Sequence, residues 1–180
     1  MGDPKKKKKK YQTPSHPWGK ERVEEEKKII KEYGFKNRKE IWKMKSILIN
    51  FINQTRKLIA DTTKQGEKEK IQLLHKLYSL GLITKTSKLE DILSLTPKDI
   101  MERRLQTLVF RKGLAKSINQ ARQFIVHGHV NIGNKKITSP SYLVVREEES
   151  KIGFLPSSQL SSAGHPERSI QKKEIKKKKK

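Results

Sequence analysis

Six consecutive lysines, Lys5 to Lys10, stand near the start of the chain, and five more, Lys176 to Lys180, end it. Such blocks bury nothing and repel themselves, so neither can fold alone and any core must lie between them. Residues 1–22 carry eight basic side chains against Asp3 and Glu21, and residues 165–180 carry eight against Glu167 and Glu174. The interior is basic too, because the chain holds 43 Lys and Arg against 19 Asp and Glu, a formal net charge of +24. A compact molecule with that field repels itself and calls for a polyanionic partner. Solubilising tails or a nuclear-localisation signal would account for the ends but not for the basic interior. The ends therefore read as tails that order along phosphates.

At 180 residues the chain is one medium domain or two small ones. Hydrophobic residues make up only 32%, enough for a modest core and no more. The absence of cysteine excludes a disulfide scaffold and thiolate metal sites. No apolar run approaches the ~18 residues of a membrane span, and the leading lysines are not followed by an apolar segment, so a soluble, cytoplasmic protein is expected. Aromatic residues reach 6% and are scattered, which disfavours a stacking sheet for single strands. Folded RNA or duplex backbone, read by shape and charge, is the expected partner.

The punctuation of the chain predicts an α+β protein in four parts: a basic extended arm over 1–19, a helical lobe over 20–100, a compact helix-and-ribbon domain over 101–150, and an irregular segment with a lysine tail over 151–180. Pro14 and Pro17 keep the arm extended. Lys20 to Tyr33 reads as helix, with Glu24 to Glu26 early, Lys27, Lys28 and Lys31 later, and Gly34 as its stop. Asn37 with Glu40 resembles a capping box. Ile41, Met44, Leu48, Phe51, Ile52, Thr55, Leu58 and Ile59 then form an amphipathic stripe, with Lys43, Lys45, Arg56 and Lys57 mainly off it. A third helix over Glu67 to Leu80 turns Ile71, Leu74, Leu77 and Tyr78 inward. Residues 82–95 are a connector with a short apolar turn. Thr96, Pro97 and Asp99 start a helix that runs to Gly113. Ser117 caps another, from Ile118 to about His127. Val130 and Ile132, a Gly133-Asn134 turn, Ile137, and Tyr142 to Val145 then read as short antiparallel strands.

Candidate RNA contacts concentrate in the second half. Arg103, Arg104, Arg111 and Lys112 flank the first helix of the small domain. Asn119, Gln120, Arg122 and Gln123 lie largely opposite Ile118, Ala121 and Ile125, and the Ser117 end offers helix amides; guanidinium groups beside a helix N-terminus suit phosphate. His127 and His129, two residues apart without carboxylate or cysteine support, read as capping or RNA-bonding groups rather than metal ligands. Lys135 joins them on the ribbon. The arm adds Lys5, Lys6, Lys7, Lys8, Lys9, Lys10, His16, Trp18 and Arg22. Glu147 to Glu149 reads as a solvated acidic run. No nucleophile motif, P-loop or dinucleotide fingerprint occurs, so no catalysis and no cofactor are expected.

The stretch Arg104-Leu105-Gln106-Thr107-Leu108-Val109-Phe110-Arg111-Lys112-Gly113, followed by Ser117, Gln120-Ala121-Arg122-Gln123, His127-Gly128-His129-Val130 and Pro140-Ser141-Tyr142, resembles the RNA-binding domain named after small-subunit ribosomal protein four. Tyr11, Pro14, His16-Pro17-Trp18 and Arg22 resemble the N-terminal segment of the archaeal and eukaryotic branch of that family, and His165-Pro166-Glu167-Arg168 its archaeal C-terminus. The resemblance implies a non-enzymatic, primary binder of 16S-type rRNA. It further implies nucleation of the small-subunit body, contact with ribosomal protein five and other small-subunit proteins, and an effect on decoding accuracy. No homo-oligomer, membrane association, cofactor or metal is implied; the cysteines that some bacterial relatives carry for zinc are missing here. Two departures stand out. Ile118 occupies a position where the family often has arginine, and Gly133-Asn134 replaces the usual Asn-Gly, which calls for a different primed turn or a register change. The alternatives are an RNA-modifying enzyme using the domain as an anchor, and a free RNA chaperone.

Overall fold

Gly34 ends the first helix in a left-handed conformation, φ 61°, and the chain turns there into the helix that organises the rest of the lobe. In the computed structural model, residues 2, 8–162 and 165–167 are described; Lys5 to Lys7, Arg168, Lys172, Lys173 and Lys176 to Lys180 lie outside the described residues. The helices are α1 (Lys20–Tyr33), α2 (Arg38–Ala60), α3 (Lys64–Ser79), α4 (Leu89–Leu93), α5 (Pro97–Glu102), α6 (Leu105–Arg111), α7 (Ile118–Val126) and α8 (Arg146–Glu149). Three short strands, β1 (Val130–Ile132), β2 (Lys135–Lys136) and β3 (Ile152–Phe154), form an antiparallel sheet in the order β2-β1-β3. The architecture is α+β, as expected.

Helix α2 is long enough, at 23 residues, to serve two cores in succession. Its first half packs Ile41, Met44 and Leu48 against Tyr33, Phe35, Ile100 and Met101. Its second half packs Phe51 and Leu58 against Leu73, Leu77, Ile83 and Ile92. A third core belongs to the small domain, where Leu105, Leu108 and Val109 of α6 meet Ala121, Phe124 and Ile125 of α7 and Val130, Ile132 and Ile152 of the sheet.

Several expectations are corrected. On α3 Leu73 joins the expected Leu77 inward in place of Ile71, which is 68% exposed, because the buried face follows Leu73 and Leu77 at a four-residue step. Ile59 likewise lies at the exposed end of α2. The single helix expected from Pro97 to Gly113 is two. Arg104 between them is extended and bridges Leu143, while Leu105 N–H donates to Tyr142 O at 2.8 Å and Val144 N–H to Arg103 O at 3.0 Å. The backbone groups of 142–144 are thus satisfied by the helix break, and this segment is no strand of the sheet. The third strand is instead Ile152–Phe154, in the segment expected to be irregular, and Leu160 closes the same core.

The Gly133-Asn134 turn joins β1 to β2 with Ile132 opposite Lys135. Gly133 has φ 57°, and no non-glycine residue has positive φ among the described residues. That pattern fits the primed turn with glycine at its first central position, whereas Asn-Gly hairpins need both central residues left-handed.

Candidate nucleic-acid interface

The spacing of Asn37 and Glu40 predicts a cap for α2. Asn37 makes no side-chain cap bond, and the Glu40 carboxylate is committed elsewhere. It receives Arg104 Nη2 on Oε2 at 2.9 Å and Arg122 Nη2 on Oε1 at 2.8 Å, with Arg122 Nη1 a further 3.2 Å from Oε2. Two guanidinium groups from the small domain outcompete one backbone amide, because charge-assisted bonds are about twice as strong as neutral ones. Burial pushes the Glu40 carboxyl up, but hydrogen bonds and charge from Arg122 and Arg104 outweigh it and hold the group below its ordinary value. The neighbouring Gln106 amide ties the same seam, donating to Gly34 O at 3.1 Å and Ile118 O at 3.0 Å.

This geometry divides the candidate RNA residues. Arg104 is 1% exposed, its guanidinium 4.2 Å above the Phe35 ring, so it is a seam residue with no surface to offer RNA. Arg122 is partly buried on Glu40. Arg103 pairs with Glu149 at 2.7 Å and donates to Val144 O at 3.0 Å. The acidic run is therefore not merely solvated: Glu149 holds Arg103, and Glu148 accepts the Tyr142 hydroxyl at 3.0 Å. Burial first, then that carboxylate, raise the Tyr142 phenol. Arg111 is exposed yet paired with Glu102 at 2.7 Å, and the same carboxylate accepts Tyr33 Oη–H at 2.9 Å. Lys112 is exposed, its Nζ donating to Glu149 O.

The outer face of α7 remains open. Ser117 Oγ accepts from Gln120 N–H at 3.2 Å, and Gln120 Oε1 accepts from Lys116 N–H at 2.6 Å. The Gln120 amide donates to the Glu167 carboxylate at 2.8 Å. Asn119, Gln123 and His127 are exposed along this face. His127 stacks on His129 with ring centres 6.2 Å apart, and His129 Nδ1 lies 2.8 Å from Ser158 Oγ. Lys135 stands exposed on β2.

The arm reaches the same side of α2 that carries Lys43. Tyr11 packs its ring 6.0 Å from Trp42, and Gln12 N–H donates to Ser46 Oγ at 2.9 Å. Lys9, Lys10 and Lys43 consequently line one groove of about 590 Å³ with Asn50, Ser141 and Leu143. A smaller depression shares Lys43 and Ser141 with it and ends at Glu40 and Arg122. Lys8 is exposed. Sequence reasoning misses Lys43 as a candidate RNA residue; the only sign of it in the sequence is that it lies off the apolar stripe of α2. Further along the arm, Arg22 bonds Glu26 at 2.6 Å and Pro17 O at 2.8 Å, His16 is exposed, and Trp18 is 92% exposed.

A family model described as the S4 domain matches residues 103–150. The chain is 53% identical over 169 residues to the small ribosomal subunit protein uS4 of Methanococcus aeolicus, covering 93% of this chain and 96% of that protein. It is 52% identical over 170 residues to the protein of the same name from Methanococcus vannielii, covering 93% and 95%. Against the uS4 of Methanococcus maripaludis strain C5 the identity is 50% over 169 residues, with 93% and 95% covered. Identity of that order over nearly the full length of both partners, with an S4 domain standing where α6, α7 and the ribbon stand, places this chain in the uS4 family of small ribosomal subunit proteins.

Proposed function

We propose that the protein is a structural, non-enzymatic constituent of the small ribosomal subunit that binds its rRNA. The observation that carries this is the near-full-length identity with uS4 relatives. The net charge of +24 is the physical counterpart, since a field of that size is relieved by phosphate. No helix among the described residues is long and apolar enough to cross a membrane.

At finer grain, the reading is that the two lobes clamp a multi-helix junction of 16S-type rRNA and nucleate the subunit body early in assembly. Ribosomal protein five is the proposed protein neighbour, with decoding accuracy affected through that contact. The proposed RNA contacts are Lys8, Lys9, Lys10 and Lys43 along the groove, Ser117, Asn119, Gln123 and His127 on α7, and Lys112 and Lys135 beside it. Their exposure supports the reading. Arg104 leaves the set, Arg122 acts through the seam, and Arg103 acts within the small domain by holding Glu149 and Val144 O.

Sedimentation of cell extract on a sucrose gradient tests the proposal. Stoichiometric co-migration with small subunits is expected; substoichiometric or free protein would favour a modifying enzyme or a chaperone.

A further inference from the structure

The largest apolar side chain left in water is Trp18, 92% exposed. An indole is a large apolar surface that folding normally covers, and the chain does cover its other tryptophan. Trp42 is half-buried, donates Nε1–H to Glu26 Oε1 at 3.0 Å and has the Tyr11 ring beside it. Trp18 has no such neighbours among the described residues, yet Arg22 holds the turn that carries it. Arg22 Nη2 donates to Pro17 O at 2.8 Å and His16 O at 3.3 Å, clamping the backbone just before Trp18. The same guanidinium places Nη1 2.6 Å from Glu26 Oε1, a carboxylate only 1% exposed. Gly19 then opens α1 directly behind the indole. A buried acid, an arginine and two carbonyls thus hold an aromatic ring out into solvent on a fixed turn.

Resting on the rRNA-binding reading, we infer that Trp18 is a stacking platform for one unpaired nucleobase of the RNA. The occupant follows from charge. Lys20 and His16 are exposed within two residues of the indole and Lys8 to Lys10 along the same arm; Glu21, Glu24 and Glu25 are exposed on α1 after it, but the chain's net charge of +24 favours an occupant that brings negative charge with its apolar face. A nucleotide meets both demands, with a π-face for the indole and phosphates for the lysines. The base must be unpaired, because a paired base already has both faces covered within its helix. Trp18 would give a shape-and-charge binder one fixed register point on the RNA. Base–aromatic stacking of ~1–3 kcal/mol corresponds to roughly 5- to 150-fold in affinity.

The test uses the full chain with poly(A), a poly(A)·poly(U) duplex of equal phosphate content, naked small-subunit rRNA and, for comparison, assembled small subunits. Tryptophan emission should be quenched by poly(A) and by the rRNA, and much less by the duplex. W18L should lose that difference, and its poly(A)-to-duplex affinity ratio should fall by roughly 5- to 150-fold, while W18F keeps most of the ratio. Equal quenching by poly(A) and duplex, or a W18L ratio matching wild type, overturns the inference. Quenching seen only in assembled subunits and never on naked rRNA would mean a protein covers the indole, and also overturns it. Absence of specific binding to the rRNA by wild type and W18L alike would sink the rRNA-binding reading itself, a result distinct from the other outcomes.

Discussion

Arg104 Nη2 lies 2.9 Å from Glu40 Oε2, an ion pair that crosses from the small domain to the helical lobe and leaves Arg104 only 1% exposed. Arg104 Nε and Nη1 have no hydrogen-bond partner among the described residues, so this one carboxylate carries most of the compensation for a buried charge. Breaking such a pair from one side strands the other charge, which costs far more than the pair contributes relative to an apolar replacement.

Glu40→Gln keeps the shape and removes the charge. It should destabilise the protein by up to about 3–5 kcal/mol at neutral pH, the range for breaking a buried pair. Glu40 is held below its ordinary 4.5 in the folded state, so its contribution is complete above that pH and is lost as pH falls through the folded value. Urea denaturation of both proteins from neutral pH downward should show the gap shrinking on the acid side. A gap independent of pH would remove Glu40 ionisation from the account.

Arg122→Ala should lower stability by about 1–3 kcal/mol, since it removes a charge-assisted bond to Glu40. Arg122 and Arg104 share one carboxylate, so Arg122→Ala and Glu40→Gln should combine non-additively, by about 0.5–3 kcal/mol in a double-mutant cycle. Strict additivity would show that the bond between Arg122 and Glu40 carries no stability.

Gly34→Ala probes the same seam from the backbone. Gly34 has φ 61°, and an added Cβ would stand 2.7 Å from Gln106 Nε2 and 2.8 Å from Ile118 Cγ2, both in the small domain. The left-handed conformation alone costs roughly 1–2 kcal/mol with a side chain present, and the two clashes add to it. Gly19→Ala, whose nearest neighbour would be 3.8 Å away, should change thermal stability little. Comparable melting temperatures for the two variants would contradict the seam's tight packing.

Removal of residues 1–10 should weaken binding to every RNA alike and flatten its salt dependence. For every phosphate that the shortened chain no longer neutralises, the log–log slope should drop by ~0.7–0.9. Tyr11 and Gln12, which pin the arm to α2, stay in place, so circular dichroism should be unchanged. A slope equal to that of the full chain would leave the lysines as solubilising tails.

What the sequence alone determined here is local and periodic. The bounds of α1, the Gly34 stop, the apolar stripe of α2 short of Ile59, the Ser117 cap and the β1–β2 hairpin all depend on residues within about a turn of one another, and each stands where its pattern indicated. The family was legible for the same reason, because its motif is a series of short segments at fixed spacing along the chain. What only the tertiary structure decided is where charged groups spend their charge. Asn37 and Glu40 have capping-box spacing, but Arg104 and Arg122, 64 and 82 residues further on, claim the carboxylate. Arg104 and Lys112 are both basic residues flanking one helix, yet one is sealed over Phe35 and the other stands in solvent. The break after Glu102 and the third strand at Ile152 likewise depend on segments tens of residues distant supplying hydrogen-bond partners. A charged side chain's role is set by which opposite charge lies within a few ångströms, and that distance is a property of the packed chain rather than of sequence spacing.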